Sequence, residues 1–301
     1  DSLVGWLDET INHQSMNAVL DPLIAQHFNI LKDFLKNGKL QKLESAEKLF
    51  ESTNVEQFIE AEQILLSIYK KSSGGEKKSL KKIIDSSRKF NTHVTDDVYF
   101  ISLNKKIKEN YKIQSPPVSR PDYDDINSFH WGVNFTNIIQ SGGFDIVIGN
   151  PPYVEIKKIL DWKKIILRKQ FTYENKEIMN GRFDLYWGFL KRGVSLVKDD
   201  GFLGFLTADS LLDSVSGALL RKFLFTETTI LGLKWTGKFP DAGVHTVITL
   251  LKNKLNQSNY KFELENWEES TKKTLDKEKI LNQHNYIVNL KWTNQEENND
   301  Q

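Results

Sequence analysis

The chain has 301 residues, of which 39% are hydrophobic and 27% charged, and its formal net charge is +1. This length is enough for one large or two ordinary globular domains. The chain contains no cysteine, which excludes a disulfide framework and a thiolate metal site. We find no signal peptide and no apolar run long enough to cross a membrane. With a net charge so close to zero, a DNA-binding surface would have to be a local basic patch.

Residues 1–125 are predicted to be mostly helical. Apolar side chains recur at helical spacing over 24–35 and again over 58–68. A Ser-Ser-Gly-Gly stretch then breaks the pattern, and a third helix is predicted over 76–90. The stretch 115–121 contains three prolines, so we expect an irregular connection there.

Lysines are concentrated around the Ser-Ser-Gly-Gly break. The six are Lys70, Lys71, Lys77, Lys78, Lys81 and Lys82. They could touch the phosphates of a nucleic acid, although a solvated helix face is the more common outcome for such a run.

From about residue 128 the pattern changes to alternating strands and helices. We predict strands over 144–149, 202–207, 229–235 and 244–251, with helices over 184–197 and 211–225. Strands that alternate with helices indicate an α/β fold with a mostly parallel sheet. The last two strands are joined too closely for a crossover, so we expect an antiparallel hairpin at the edge of the sheet. The stretches 260–264 and 286–292 could add further strands.

The tetrapeptide Asn150, Pro151, Pro152 and Tyr153 directly follows the apolar strand 144–149, which is predicted to be buried. An exocyclic amine on a heteroaromatic ring is a poor nucleophile because its lone pair is delocalised into the ring. The Asn150 side-chain oxygen and the Pro151 carbonyl could accept its two hydrogens and favour tetrahedral geometry. Tyr153 offers a ring face for stacking. A plain strand-ending turn would use the same residue types, so the tetrapeptide alone leaves that alternative open.

Further stretches match a known family in order and spacing. They are 144–154, Phe129-His130-Trp131 with Phe135, Asp184-Leu185-Tyr186, Gly201 to Phe205, and Phe239 to Val244. With these residues the chain resembles the N6-adenine-specific DNA methyltransferases. More narrowly, it is similar to type IIG restriction-modification enzymes and related phage-defence methyltransferases. The resemblance covers about residues 128–252.

The resemblance implies methylation of adenine N6 in double-stranded DNA, with S-adenosylmethionine as the donor and with a cytoplasmic location. It implies that Asn150 and the Pro151 carbonyl hold the target amine, that Asn150 also borders the donor, and that Pro152 shapes the loop. Tyr153 and Phe239 are expected to contact an adenine that is rotated out of the duplex. The absence of cysteine leads us to expect direct transfer without a covalent intermediate.

The donor-binding residues of the family are harder to find. No Gly-x-Gly loop follows a predicted strand, and neither 73–75 nor 141–143 has the context of a cofactor loop. In the type IIG-like enzymes a segment like 1–5 follows the third strand and carries an acidic residue against the donor, which makes Asp1 a candidate. The chain is therefore expected to be the C-terminal half of a Rossmann-like methyltransferase sheet with a large helical insertion.

On this interpretation, the chain has four parts. They are the end of the donor-binding half (1–5), the helical insertion (6–127), the catalytic half (128–252), and a linker or the start of a target-recognition region (253–301). An upstream donor-binding half and a downstream target-recognition domain would be missing, and the fragment alone is expected to be inactive.

Two alternatives stay open. Protein-glutamine and RNA methyltransferases also use such a loop, and a non-catalytic DNA-binding module would explain the missing donor residues. No metal site is predicted, because the six histidines show no pair at metal-ligand spacing. His245 is interpreted as structural, and Asp96-Asp97 and Asp124-Asp125 as caps or turns.

Overall fold

The computed structural model describes residues 141–159, 161–238, 243–254 and 259–290, together with single residues and short runs between 66 and 139. The chain divides into two compact units, 1–140 and 141–301. Among the residues so described, no helix has both the length and the apolar character needed to span a bilayer. The four-part division expected from the sequence stays a prediction.

The first unit contains helical runs over 69–71 and 74–82, so the described part of the predicted helix 76–90 is helical. Leu80 and Ile84 are 0% and 4% exposed, so this helix packs through one apolar face. Two short helices follow, α1 (Arg120–Asp124) and α2 (Trp131–Asn134). The predicted helix over 24–35 lies outside the described residues, and so does the helix over 58–68 apart from residues 66 and 67.

A hydrogen-bond network in the first unit, here called the Asp96 network, joins Asp96, Tyr123, Ser128 and His130. Asp96 Oδ1 lies 2.9 Å from His130 Nε2 and 3.2 Å from the Tyr123 hydroxyl. The Ser128 hydroxyl also donates to the same oxygen. His130 and Tyr123 are 0% and 1% exposed. The expectation of a cap or turn at Asp96 misses this role, because the partners lie up to 34 positions away.

The second unit contains a six-stranded sheet with flanking helices. In chain order its strands and helices are β1 (Phe144–Gly149), α3 (Asp161–Gln170), β2 (Thr172–Tyr173), β3 (Lys176–Glu177), α4 (Tyr186–Leu196), β4 (Val197–Ala208), α5 (Ser210–Asp213), α6 (Ala218–Glu227), β5 (Thr229–Lys238), β6 (His245–Lys252), β7 (Lys261–Asn266), β8 (Thr271–Asp276) and α7 (Lys277–Leu281). The sheet order is β1-β4-β6-β5-β7-β8, and β2 and β3 form a separate hairpin. Strands β1, β4, β5 and β7 run in one direction, while β6 and β8 run in the other. The predicted α/β fold with a mostly parallel sheet is confirmed.

The antiparallel pairing of β5 with β6 is confirmed, but the hairpin does not lie at the edge of the sheet. β6 pairs with β4 on its other side, and β7 and β8 continue the sheet beyond β5. β7 alternates buried and exposed residues, with Phe262 and Leu264 buried, so its inward face extends the core. β8 has no fully buried residue, so its sequence carries little strand signal. The possible strand over 286–292 is not formed in its described part, where Val288 N–H donates to the Leu212 carbonyl of α5 at 2.8 Å.

The predicted helix over 211–225 is divided into α5 and α6. Ser214 lies between them with φ −59° and ψ 131°, which is not a helical conformation. The Arg221 side chain is 1% exposed and donates to the carbonyls of Leu211 and Ser214 at 2.9 and 2.8 Å. These two carbonyls accept hydrogen bonds from a buried guanidinium instead of continuing the hydrogen-bond pattern of one helix. The spacing of apolar residues in the sequence does not reveal such a break.

β1 is the first strand in the sheet order and pairs with β4 alone among the described strands. The prediction of a buried strand is wrong, because Ile146 and Ile148 are 62% and 79% exposed. Since alternate residues share a face of a strand, the two isoleucines form an apolar stripe on an uncovered face. Before the strand, Gly143 has φ 118°, and a Cβ there would lie 2.6 Å from the Leu196 carbonyl. A glycine is therefore required where the chain turns into β1.

Candidate functional site

The loop 150–153, here called the amine loop, lies at the carboxyl end of β1, as predicted. Gly149 pairs with Phe205 of the parallel strand β4, and Ala208 at the end of β4 pairs with Thr246 of β6. The ends of β1 and β4 and the start of β6 therefore share one edge of the sheet. In open α/β sheets, ligands bind beyond the carboxyl ends of the parallel strands.

Asn150 and Tyr153 bond to each other inside the amine loop. The Tyr153 hydroxyl donates to Asn150 Oδ1 at 2.8 Å and lies 3.3 Å from the Leu206 carbonyl of β4. Asn150 is exposed and Tyr153 is half-buried, while Pro151 between them is buried. A side-chain amide oxygen has two lone pairs, so Asn150 Oδ1 can accept a second hydrogen bond. The phenol therefore orients the carboxamide and occupies one of the two acceptor positions of its oxygen, which leaves the other open.

Asp184 holds the far end of the amine loop. Its Oδ1 accepts the main-chain N–H of Val154 at 2.9 Å. The adjoining main chain adds two bonds, from Leu185 N–H to the Val154 carbonyl and from Ile156 N–H to the Phe183 carbonyl, both at 3.0 Å. Asp184, two residues before α4, is thus tied to the residue directly after the tetrapeptide, 30 positions earlier.

Burial raises the pKa of the Asp184 carboxyl above its ordinary value of 3.8, and the charge of Glu155 raises it further. Hydrogen bonds from the main-chain N–H groups of Val154, Tyr186 and Leu185 lower this pKa but do not reverse the shift. Burial, followed by the charge of Asp184, also raises the pKa of Tyr153, so its hydroxyl keeps the proton that it donates to Asn150.

Behind the loop, Tyr186 of α4 is fully buried, and its hydroxyl lies 3.1 Å from Ser210 Oγ. Next to Ser210, at the end of β4, Asp209 Oδ2 accepts the indole N–H of Trp235 at 3.0 Å. His245 Nδ1 lies 4.0 Å from the same oxygen, and the His245 ring centroid is 5.6 Å from that of Trp235. Asp209 and Trp235 were not expected at the site. Asp209 directly follows β4, and this position at a strand end is the signal that could have found it, whereas Trp235 lies inside β5.

Two residues expected at the site, Asp1 and Phe239, lie outside the described residues. Of the expected donor contacts, only Asn150 is therefore described. The exposed stripe of Ile146 and Ile148 offers an apolar wall beside it, but no glycine-rich loop follows a strand in the described part of the chain. The described residues fit the amine side of a methyl-transfer site and one edge of a donor side.

The described residues give little support to a serine-nucleophile site or a metal site. The Asp96 network contains a serine, a histidine and a carboxylate, but Ser128 and His130 both bond to Asp96 Oδ1. A serine nucleophile needs the histidine as its base, with the carboxylate on the far side of the ring. Among the described side chains, no group of three or more His, Asp or Glu residues could hold a metal ion.

Comparison with protein families shows one match over most of the chain. The family model described as Eco57I restriction-modification methylase matches residues 23–234. The chain is 28% identical over 238 residues to a putative type II restriction enzyme and methyltransferase, RM.MjaORFECS2P, from Methanocaldococcus jannaschii, covering 75% of this chain and 19% of that protein. It is 28% identical over 130 residues to the type II restriction enzyme and methyltransferase RM.Eco57I from Escherichia coli, covering 40% and 12%. The chain thus spans about a fifth or less of the length of these curated relatives.

Solved structures give weaker similarities. The type IIG restriction endonuclease BpuSI is 15% identical with a TM-score of 0.35, over 42% of this chain and 15% of that one. A putative class I S-adenosylmethionine-dependent methyltransferase from Listeria monocytogenes is 13% identical with a TM-score of 0.32, over 84% and 92%.

Proposed function

Because the chain belongs to the Eco57I restriction-modification methylase family, we propose that it supplies the amine-binding part of an S-adenosylmethionine-dependent DNA methyltransferase specific for adenine N6. The observation that carries the proposal is the exposed Asn150 carboxamide at the end of β1. Its oxygen is oriented by the Tyr153 hydroxyl at 2.8 Å and keeps a free lone pair.

The amine loop activates the nucleophile by position. Asn150 Oδ1 accepts one hydrogen of the target amine, and the Pro151 carbonyl accepts the other. Two acceptors on one nitrogen pull it toward tetrahedral geometry and return its lone pair from the ring. The Tyr153 ring supports the extruded base, and such stacking is worth about 1–3 kcal/mol per base. Asp184 keeps this constellation in place through Val154.

The donor supplies an electrophilic methyl group when bound. Asn150 and the apolar stripe of Ile146 and Ile148 border the place where it would lie. Among the described strands β1 pairs with β4 alone, so its other edge is open, and such an edge is normally paired or covered in a native protein. We therefore place the donor-binding strands of the complete enzyme against β1, and we expect residues 1–301 alone to bind the donor weakly and to be inactive.

The decisive test is Asn150→Ala in the full-length protein, assayed with tritiated donor and plasmid DNA from a strain without adenine methylation. We expect loss of methylation by about 100- to 1,000-fold, with a melting temperature close to that of the wild type, because each preorganised contact at reacting atoms contributes about 2.7–4 kcal/mol. Asn282→Ala, at another exposed asparagine, is the matched control and should leave activity unchanged. Methylation that survives Asn150→Ala would reject the proposed role.

The substrate that accepts the methyl group is identified by offering duplex DNA, duplex RNA and protein to the same enzyme. Label in DNA that is recovered as N6-methyladenine is the expected result. Label in RNA or in protein glutamine would replace the proposal with one of those activities. DNA binding without any transfer would favour a non-catalytic module.

A further inference from the structure

The first unit carries a strongly basic surface whose residues lie outside the amine loop. We define the basic surface by its six lysines, Lys70, Lys71, Lys77, Lys78, Lys81 and Lys82. Five of them are exposed, and Lys77 is half-exposed with its ammonium 5.0 Å from the ring centre of Tyr69. Between residues 69 and 82 the one acidic residue is Glu76.

The orientation of this surface is set by the helix over 74–82. Leu80 and Ile84 are buried on one face, and Lys78 and Lys82 lie on the opposite face. Lys81 flanks the buried face and is exposed, whereas Lys77 lies next to it and is half-exposed. The contact of Lys77 with Tyr69 joins this helix to the preceding run over 69–71. Four of the six lysines are therefore presented by a packed helix, and Lys70 and Lys71 by the helical run before it.

The arrangement is unfavourable for the helix itself. Lys77 and Lys81, and likewise Lys78 and Lys82, are four residues apart on one face. Like charges at this spacing destabilise a helix. Among the described residues, no carboxylate forms an ion pair with any of the six lysines. A polyanion bound to this face would relieve the repulsion.

We propose that the basic surface binds the phosphate backbone of duplex DNA without reading its sequence. The choice of DNA over other polyanions rests on the proposed function, whereas none of the six lysines belongs to the amine loop. Ammonium groups on flexible stems neutralise phosphates as point charges and release the condensed counterions. Such contacts would retain the enzyme on DNA between target sites.

The test is a salt titration of binding to random-sequence duplex DNA, measured without donor on the full-length protein. The variant replaces the exposed trio, as Lys78→Gln, Lys81→Gln and Lys82→Gln together. We expect affinity at 50 mM salt to fall at least about tenfold, and the slope of log K against log salt to become shallower by about 2–3, since each lost phosphate contact removes about 0.9. Circular dichroism and the melting temperature check that the helix still packs.

A charge-matched control distinguishes DNA binding by the basic surface from a general effect of the protein's net charge. Lys261, Lys272 and Lys279 are exposed in the second unit, and their joint replacement by glutamine changes the net charge equally. This control should leave the slope unchanged, and lysine-to-arginine replacement of the trio should restore binding. Equal slopes for both triple variants, or an unchanged slope for the trio, would overturn the inference.

The same binding experiment is repeated with anionic lipid vesicles and with duplex RNA in place of DNA. A trio variant that loses vesicle or RNA binding but keeps DNA binding would assign the surface to that partner and reject DNA. Because no methylation is measured, an Asn150→Ala enzyme that binds DNA through these lysines would leave this inference standing even if the proposed activity failed.

Discussion

Asp96 in the first unit and Asp184 in the second are both partly buried carboxylates that organise their surroundings, yet their pKa values move in opposite directions. Burial raises the pKa of Asp96, but hydrogen bonds from His130 and Ser128 outweigh burial, so this pKa lies below its ordinary value. Burial also raises the pKa of Asp184, and the hydrogen bonds from main-chain N–H groups do not compensate. The difference therefore lies in the partners and not in the burial.

The comparison separates two uses of one side chain. Asp96 collects three side-chain donors from distant positions and so fastens helices of the first unit. Asp184 accepts peptide N–H groups and sits at an electrostatic cost beside the amine loop. Unfavourable groups are retained where they serve a site, so we expect Asp96 to govern stability and Asp184 to govern activity.

Between these two carboxylates, the largest expected effect is that of Asp184→Ala on methylation. Without the acceptor for Val154 N–H, the amine loop loses its anchor, and a displacement of about 1 Å can cost about 100-fold in rate. We expect kcat to fall by about this factor while KM for DNA changes little. Steady-state assays on the full-length enzyme measure both quantities, and single-turnover assays check that the loss lies in the chemical step.

Asp184→Asn supplies the control for this prediction, because an amide oxygen can still accept the Val154 N–H. It should retain activity within about threefold of the wild type, which corresponds to less than about 0.7 kcal/mol. If asparagine were as damaging as alanine, the negative charge itself would be required and the positioning role would be wrong.

Asp96→Ala tests the stability side of the comparison. It removes the acceptor shared by Tyr123, Ser128 and His130, and we expect the free energy of unfolding to fall by about 2 kcal/mol, since buried donors left unsatisfied cost about 1–3 kcal/mol. Hydrogen exchange of peptides covering 120–135 reports on the network locally.

Asp124→Ala is the matched control, because its pair with Arg120 spans one exposed helical turn at 2.7 Å. Exposed pairs of this kind contribute about 0.5 kcal/mol or less. An Asp96→Ala variant no less stable than Asp124→Ala would show that the network does not fasten the first unit.

Acid titration sharpens the contrast between the two carboxylates. The folded pKa of Asp96 lies below its ordinary value of 3.8, so its contribution to stability is present above that pH and is lost as the pH falls through the folded pKa. The folded pKa of Asp184 lies above 3.8, so its cost is present at neutral pH and disappears as the pH falls toward 4.

Urea unfolding of the wild type, Asp96→Asn and Asp184→Asn between pH 7 and pH 3 measures how the free energy of unfolding of each variant, relative to the wild type, changes with pH. The advantage of the wild type over Asp96→Asn should shrink on acidification. The wild type should instead gain stability relative to Asp184→Asn. If the stability difference between wild type and variant changed with pH in the same direction for both variants, the comparison would be contradicted.

The sequence predicted the position of the amine loop and the alternation of strands and helices because these depend on local pattern. It did not predict that Asp184 binds Val154, or that Asp96 binds His130, because each pair is separated by 30 residues or more. It placed β1 in the interior because an isoleucine-rich strand has the same pattern whether or not a neighbour covers it.

The smallest expected effect is that of Tyr153→Phe. It extends the comparison from the Asp184 contact with Val154 to the hydrogen bond between Tyr153 and Asn150. This variant keeps the ring against the base but removes the donor to Asn150 Oδ1. One neutral hydrogen bond is worth about 1 kcal/mol, so kcat should fall about fivefold. Tyr153→Ala also removes the stacking surface and should lose at least about tenfold more. If phenylalanine and alanine were equally impaired, the hydroxyl and not the ring would be the contribution of Tyr153, whereas a Tyr153→Phe enzyme with wild-type kcat would show that Asn150 is oriented without the phenol.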